Sequence, residues 1–307
     1  MSETTGIGEC FTISLIASPA SLFKTANLII SQPASASWSI CLRVAFTSLV
    51  SVLHIDCTEI GASPPIFTLP IDIHGNLEAL NAVLEDISNN NVEEIFCLGD
   101  LAMAGPEPNK TIDFIRKQNW KTIQGNTDKM IAEYSKTILE SVKEGAPIMA
   151  NALENDIEII TEDNKKFLKQ LPEKFSLDRE GVRILLVHGS PRRNNENIFP
   201  DLKKEQINEI VADVKENVVF CGHTHIPCGY QTDNGVTVVN DGSVGRPFTE
   251  SPDPCYVLAD FNNGSFTVEH RFVTYNKEKA AKILSRRSFK GAENLAKMLI
   301  NPTSRHM

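Results

Sequence analysis

The sequence predicts an α/β protein with more than one sheet, and three observations carry the prediction. From residue 66 onward, short apolar runs alternate with segments of helical periodicity. Eight of these runs read as strands, which suits two sheets better than one. Asp, Asn and His residues fall immediately after the apolar runs, and strand ends in α/β sheets are where ligand crevices form.

In order, IFTLPID (66–72) reads as a strand. LEALNAVLEDI (77–87) reads as a helix with Leu77, Leu80, Val83, Leu84 and Ile87 on one face and Asn76 as its N-cap. EEIFCLG (93–99) is a second strand, TIDFIRKQ (111–118) a helix and WKTIQ (120–124) a third strand. Residues 129–171 interleave Lys and Glu with Ile, Leu and Met, which predicts a helical lobe beside the sheets. RILLV (183–187), NVVFC (217–221), VTVVN (236–240), CYVLAD (255–260) and SFTVEHRFV (265–273) complete the strands. The last alternates, which puts His270 at the edge of the core beside Phe266, Val268 and Phe272. A helical tail covers 277–300, within a C-terminal segment 277–307, and there is no internal repeat. Pro70 is the odd residue, because proline removes a hydrogen-bond donor and is rare in a central strand.

The 307 residues are 41% apolar and 22% charged, enough for a sizeable core and typical of a soluble globular protein. A net charge of −9 disfavours a sequence-independent grip on nucleic acid or on an anionic membrane. Seven scattered cysteines without a CxxC pair read as reduced thiols in a cytoplasmic protein, with Cys97 and Cys221 as small core residues. Residues 1–65 differ in character, with six charged residues and eleven serines. Their acidic start does not suit a signal peptide, and the uncharged run from Val44 to Ile55 is too short to span a bilayer. This leader is read as disordered sequence, a targeting segment or the product of a wrong gene start, with an extra subdomain as the remaining reading.

The chemistry lies in five short stretches after strands: DIHGN (72–76), GD (99–100), GN (125–126), HG (188–189) and GHTH (222–225). Two Asp, one Asn and four His make a mixed oxygen and nitrogen ligand set without thiolate, suited to Mn, Fe, Zn or Ni. Seven ligands are too many for one ion and fit two if a carboxylate bridges them, a pair that can clamp both oxygens of a phosphoryl displacement.

In this order the five stretches resemble the signature of the calcineurin-like metallophosphoesterases over roughly residues 66–275, and NDGSVGRP (240–247) is similar to a segment of their small prokaryotic phosphodiesterase branch. The resemblance implies a four-layer αββα sandwich of two mixed sheets flanked by helices. It assigns Asp72, His74 and His225 to one divalent metal ion and Asn126, His188 and His223 to the second, with Asp100 bridging. Manganese is the first candidate. It also implies that a hydroxide held between the ions, oriented through Asp100, Asn126 and His188, attacks phosphorus in line. The expected substrate is a small phosphodiester or nucleotide-like phosphate.

Many relatives carry a histidine after the Asn of the third motif, whereas here Thr127 follows Asn126. Threonine is no pKa-matched acid, so weak leaving-group help and a preference for activated esters are expected. Asp128 is a candidate for supporting a ligand or capping a helix. Arg192, Arg193 and Arg246 are candidate phosphate contacts, set against ordinary surface arginines. Rival readings are a non-catalytic protein-binding scaffold on the same fold, which would be expected to lose ligands, and a Ser/Thr protein phosphatase, which Thr127 disfavours.

Overall fold

A computed structural model describes residues 26–31, 39–46, 49–56 and 66–302; the rest of the leader, and His306, lie outside the described residues. Inside the leader, β1 (Ala26–Ser31), β2 (Ser39–Phe46) and β3 (Leu49–Asp56) pair antiparallel in the order β1-β2-β3. Leu42 stands opposite Leu28 on one side and Leu53 on the other. These strands belong to a unit ending at Ser63.

The second unit, from Pro64, starts with β4 (Ile66–Leu69), α1 (Leu77–Ser88), β5 (Val92–Cys97), α2 (Pro108–Gln118) and the two-residue β6 (Lys121–Thr122). The helical lobe follows as α3 (Asn126–Ala132), α4 (Lys136–Gly145), α5 (Pro147–Ile159) and α6 (Glu162–Gln170). Then come β7 (Lys174–Arg179), β8 (Val182–Val187), α7 (Lys204–Ile210), β9 (Val218–Cys221), β10 (Cys228–Gln231) and β11 (Thr237–Asn240). The chain closes with β12 (Cys255–Asn262), β13 (Ser265–Phe272), α8 (Lys277–Leu284) and α9 (Ala292–Ile300).

The strands form two five-stranded mixed sheets, ordered β10-β11-β9-β8-β7 and β13-β12-β4-β5-β6. In the first, β11, β9 and β8 run parallel between antiparallel edges; in the second, β4, β5 and β6 are parallel and β12 and β13 antiparallel. Strand side chains alternate between faces, so each sheet supplies two layers of core. Ile184, Leu186, Val218 and Phe220 face Phe67, Leu69, Phe96 and Val257 between the sheets. Leu185, Val187 and Val219 turn outward under Ile207 and Ile210 of α7. On the outer side of the second sheet, α1, α2, the lobe, α8 and α9 share one cluster that includes Leu80, Ile112, Leu153, Leu284 and Leu299. This is the expected four-layer αββα sandwich.

Several boundaries move. The first strand ends at Leu69, whose partner is Val257, so Pro70 lies past the ladder and costs no strand hydrogen bond; its carbonyl accepts from Leu98 N at 3.2 Å. The tail holds two helices rather than one, separated by residues 285–291; at the start of α9 stands Gly291, whose φ of 102° favours glycine and whose added Cβ would sit 2.7 Å from Ile148 Cγ2. Strands β7 and β10 and helix α7 carry too few apolar residues to announce themselves. Phe272 is 54% exposed, so the apolar face of β13 ends at His270. Cys97, Cys221 and Cys255 are buried thiols, as expected for core residues, and burial pushes Cys97 up to about 12. Asn76 caps α1 as predicted, its Oδ1 accepting from Ala79 N at 3.2 Å. Among the described residues no helix is long and apolar enough to cross a membrane.

Candidate metal centre

The seven residues singled out as ligands all follow parallel strands, six in connecting turns and Asn126 at the start of α3, and backbone hydrogen bonds lace several of these segments together. Asp72 and His74 follow β4, and Asp100 follows β5. Asn126 opens α3 after β6, His188 follows β8, and His223 and His225 follow β9. His74 N donates to Asp100 O at 2.8 Å, Asp72 N to Gly99 O at 3.2 Å, and Gly222 N to His188 O at 2.8 Å. Five of the seven have left-handed backbone: Asp72 (φ 52°), His74 (47°), Asp100 (53°), His223 (67°) and His225 (61°). That conformation costs a non-glycine residue on the order of 1 kcal/mol, so the surrounding fold must impose it.

Close approach adds a further constraint at Gly125, where a Cβ would stand 2.0 Å from Asp100 Oδ1 and 2.3 Å from Asp100 N. Gly125→Ala should therefore displace the Asp100 carboxylate and lower manganese affinity at least about tenfold, the scale of losses on disturbing a ligand's support. Isothermal titration would check this, and unchanged affinity would show that the contact relaxes at no cost to the site.

Inside the ring of turns the side chains converge. Asp72, His74, Asp100 and His225 each place a ligand atom within 4.8 Å of the others. Asp100 reaches two ways, Oδ2 lying 3.6 Å from His74 Nε2 and Oδ1 3.5 Å from His188 Nε2. His188 Nε2 is also 3.0 Å from Asn126 Oδ1, and its ring centroid lies 5.4 Å from that of His223. Backbone carbonyls orient the rings. A carbonyl can only accept, so His74 Nδ1 donates to Met103 O (3.0 Å), His188 Nδ1 to Leu98 O (2.9 Å) and His225 Nδ1 to Arg246 O (2.6 Å). In the neutral rings of His74 and His225 this leaves Nε2 as a bare lone pair aimed inward. His74 Nε2 and His225 Nε2 thus face each other at 3.1 Å.

The electrostatics also ask for positive charge. Burial pushes Asp72 well above the usual carboxylate range, and Asp100 adds to it. Burial acts the same way on Asp100, but His188, His74 and His223 outweigh it and hold that carboxyl well below its ordinary value. Burial would lower His188, yet Asp100 and Asp72 lift it to about 10. Burial depresses His74 to about 4 and His225 well below its normal value, so both are neutral donors at pH 7. Asp72 Oδ1 is buried without a hydrogen-bond partner, while Oδ2 accepts from His223 N at 2.9 Å. A carboxylate oxygen without a hydrogen-bond partner beside opposed imidazole lone pairs fits a divalent cation and is costly otherwise.

The supporting residues divide. Asp128 is not the cap of α3 but its third residue. Its Oδ1 accepts from Leu101 N at 2.9 Å and its Oδ2 from Gly125 N at 3.0 Å, tying two ligand turns together. Thr127 N donates to Asp100 Oδ1 at 2.9 Å, and its hydroxyl donates to Ala102 O at 3.1 Å. Arg246 lines the cavity that holds the ligands. Arg192 and Arg193 line a second cleft, which His188 also lines; Arg192 pairs with Glu196 and Glu209, and Arg193 with Glu196. His270 Nε2 donates to Asn240 O at 2.8 Å, at the core edge.

Other supports were missed. Asn240 Nδ2 donates to Gly222 O and to Thr224 Oγ1, both at 2.9 Å, and Ser243 Oγ to Asp72 O at 2.9 Å. Both lie in the NDGSVGRP stretch, the one signal that could have found them. A buried pair, Asp156 and Arg287, grips the turn behind His74: Asp156 Oδ2 accepts from Ala104 N at 3.2 Å, and Arg287 Nη1 donates to Gly105 O at 2.8 Å. No motif marks that pair.

Comparison with known proteins agrees with this geometry. The family model described as a calcineurin-like phosphoesterase superfamily domain matches residues 70–264. An uncharacterized protein of Methanocaldococcus jannaschii is 32% identical over 225 residues, 68% of this chain and 87% of that protein. Among solved structures, a metallophosphoesterase from Sphaerobacter thermophilus superposes with a TM-score of 0.63 at 23% identity. A hypothetical protein from Pyrococcus horikoshii gives 0.69 at 22%; each comparison covers 77% of this chain and 98% of the other. At these identities the structures speak for the fold alone.

Proposed function

Because the chain belongs to the calcineurin-like phosphoesterase superfamily, we infer that it hydrolyses phosphoesters, as a small phosphodiester or nucleotide-like phosphate hydrolase working with two divalent metal ions. The observation that carries this is the opposed pair of bare nitrogens, His74 Nε2 and His225 Nε2, at 3.1 Å beside Asp72 Oδ1, which has no hydrogen-bond partner. Asp72, His74 and His225 would hold one ion and Asn126, His188 and His223 the other, with Asp100 shared between them. Manganese is the first candidate, with Fe, Zn or Ni fitting the same donors. When bound, such ions supply Lewis acidity and lower the pKa of a bound water.

The remaining work falls to the chain itself. Asp100 Oδ1 accepts from Thr127 N and lies beside His188, so its carboxylate is oriented before substrate arrives. The carbonyls of Met103, Leu98 and Arg246 hold three imidazole rings in fixed orientation. Arg246 offers a guanidinium to a phosphoryl oxygen from the cavity rim. Thr127 has its hydroxyl committed to Ala102 O and supplies no proton, so esters with good leaving groups should turn over fastest.

The test is hydrolysis of bis-p-nitrophenyl phosphate by chelator-treated protein with manganese restored, wild type beside Asp100→Ala. Turnover that needs manganese and falls at least about a hundredfold in the variant is expected. Folded, manganese-loaded wild type that leaves the diester intact would overturn the reading.

A further inference from the structure

A cavity of about 160 Å³ opens onto the ligand cluster, and its walls do not look like those of a site for phosphate alone. Beside Asp100, Asn126 and His223 it is lined by Met103, Met130 and Met149, by Val142 and by Phe248. Half of the chain's six methionines therefore meet at this one place. A phosphoryl group wants hydrogen-bond donors, and a thioether sulfur offers it only a weak acceptor. Methionine does suit hydrocarbon and aromatic rings, by flexible packing and favourable sulfur contacts.

The wall is also anchored. Phe248 stacks on His225 with centroids 4.7 Å apart and an interplanar angle of 10°. The Arg246 guanidinium lies 5.5 Å over the Phe248 ring and donates to Met149 Sδ at 3.2 Å. Cationic and apolar groups are thus locked side by side, an arrangement suited to a molecule with an anionic end and a hydrocarbon end. The volume sets the scale: a cavity of roughly 150 Å³ takes up benzene, whereas sites for drug-sized ligands run to about 300–1,000 Å³.

We propose that this cavity selects phosphoesters of a small apolar or aromatic alcohol, with the phosphoryl end on the ligand cluster and Arg246 and the hydrocarbon on Met130, Val142, Met149 and Phe248. Larger substituents must project beyond the cavity. The proposal rests on the phosphoesterase reading and narrows it to a substrate class.

Phenylphosphonate and methylphosphonate, which cannot be hydrolysed, separate binding from turnover. Titrated into manganese-loaded wild type, phenylphosphonate should bind about tenfold more tightly, as burying one ring's apolar surface implies. In the double variant Val142→Thr with Met149→Gln, both changes near-isosteric and the glutamine keeping an acceptor for Arg246, the preference should shrink to less than about threefold. Equal affinities in wild type, or an undiminished preference in the variant, would overturn the proposal. So would failure of both phosphonates to bind, and cleavage of bis-p-nitrophenyl phosphate then tells whether the phosphoesterase reading falls with it.

Discussion

Chelator-stripped protein should melt about 10 °C below the same protein saturated with manganese. A ligand that binds only the folded state, present at about a thousand times its dissociation constant, adds roughly 4 kcal/mol of stability. In a domain of more than 200 residues each kcal/mol moves Tm by about 2–4 °C. The sign follows from the site. Burial and the neighbouring Asp100 raise the cost of ionising Asp72, whose Oδ1 has no hydrogen-bond partner, so the stripped protein carries that penalty and the loaded one does not. Asp72→Asn should invert the pattern. Removing a buried carboxylate whose charged form opposes folding should raise Tm of the stripped form, while most of the manganese-induced gain disappears. Differential scanning calorimetry on both proteins, with and without metal, reads all four values. A wild-type Tm indifferent to saturating manganese would sink the assignment of these seven residues as ligands.

Arg287→Met should cost about 3–5 kcal/mol, since it strands a carboxylate inside the protein. Arg287 and Asp156 are 7% and 0% exposed at the side chain, and the guanidinium also donates to Asn155 Oδ1 at 2.8 Å. Burial holds Asp156 above the usual carboxylate range even with Arg287 beside it, a measure of how costly that carboxylate is alone. The damage should not stop at stability. Asp156 and Arg287 fix the turn at 103–105, where Met103 (φ 80°) and Ala104 (φ 64°) are both left-handed and Met103 O accepts from His74. Manganese affinity should therefore fall as well, which loss of packing elsewhere would not cause. Pairing Arg287→Met with Asp156→Leu should restore much of the stability but not the affinity, because Ala104 N still lacks its acceptor. Recovery of both would mean that the pair only fills space.

The candidate ligands were legible in the sequence because their chemistry is rare: Asp, Asn and His immediately after apolar runs have few structural reasons to be there. Strand β9 was legible for a related cause, since burial on both faces makes VVFC apolar throughout. Strand β7 was hidden by the opposite situation. KFSLDR lies at a sheet edge, where alternate residues face water and nothing selects against Lys, Asp or Arg. Arg192 and Arg246 show a second limit. Both follow a ligand turn by a few residues, yet one is held by Glu196 and Glu209 and the other lines the cavity. Of the two carboxylates Glu196 is near in sequence, whereas Glu209 comes from α7, 17 residues on, and its approach depends on how that helix packs. Asp156 and Arg287 stand 131 residues apart, so only the folded chain makes them a pair.

The break at residues 285–291 and the two helices around it bear on where this protein can be cut. The family match ends at residue 264, an attractive boundary for a trimmed expression fragment. Yet Ala280, Ala281 and Leu284 of α8 and Leu295, Ala296 and Leu299 of α9 belong to the same apolar cluster as α1 and the lobe. A chain stopped at residue 264 would expose that cluster to water and would also lack Arg287. The smallest piece that keeps both the cluster and the pair runs through Ile300, so the functional boundary lies well downstream of the recognisable one.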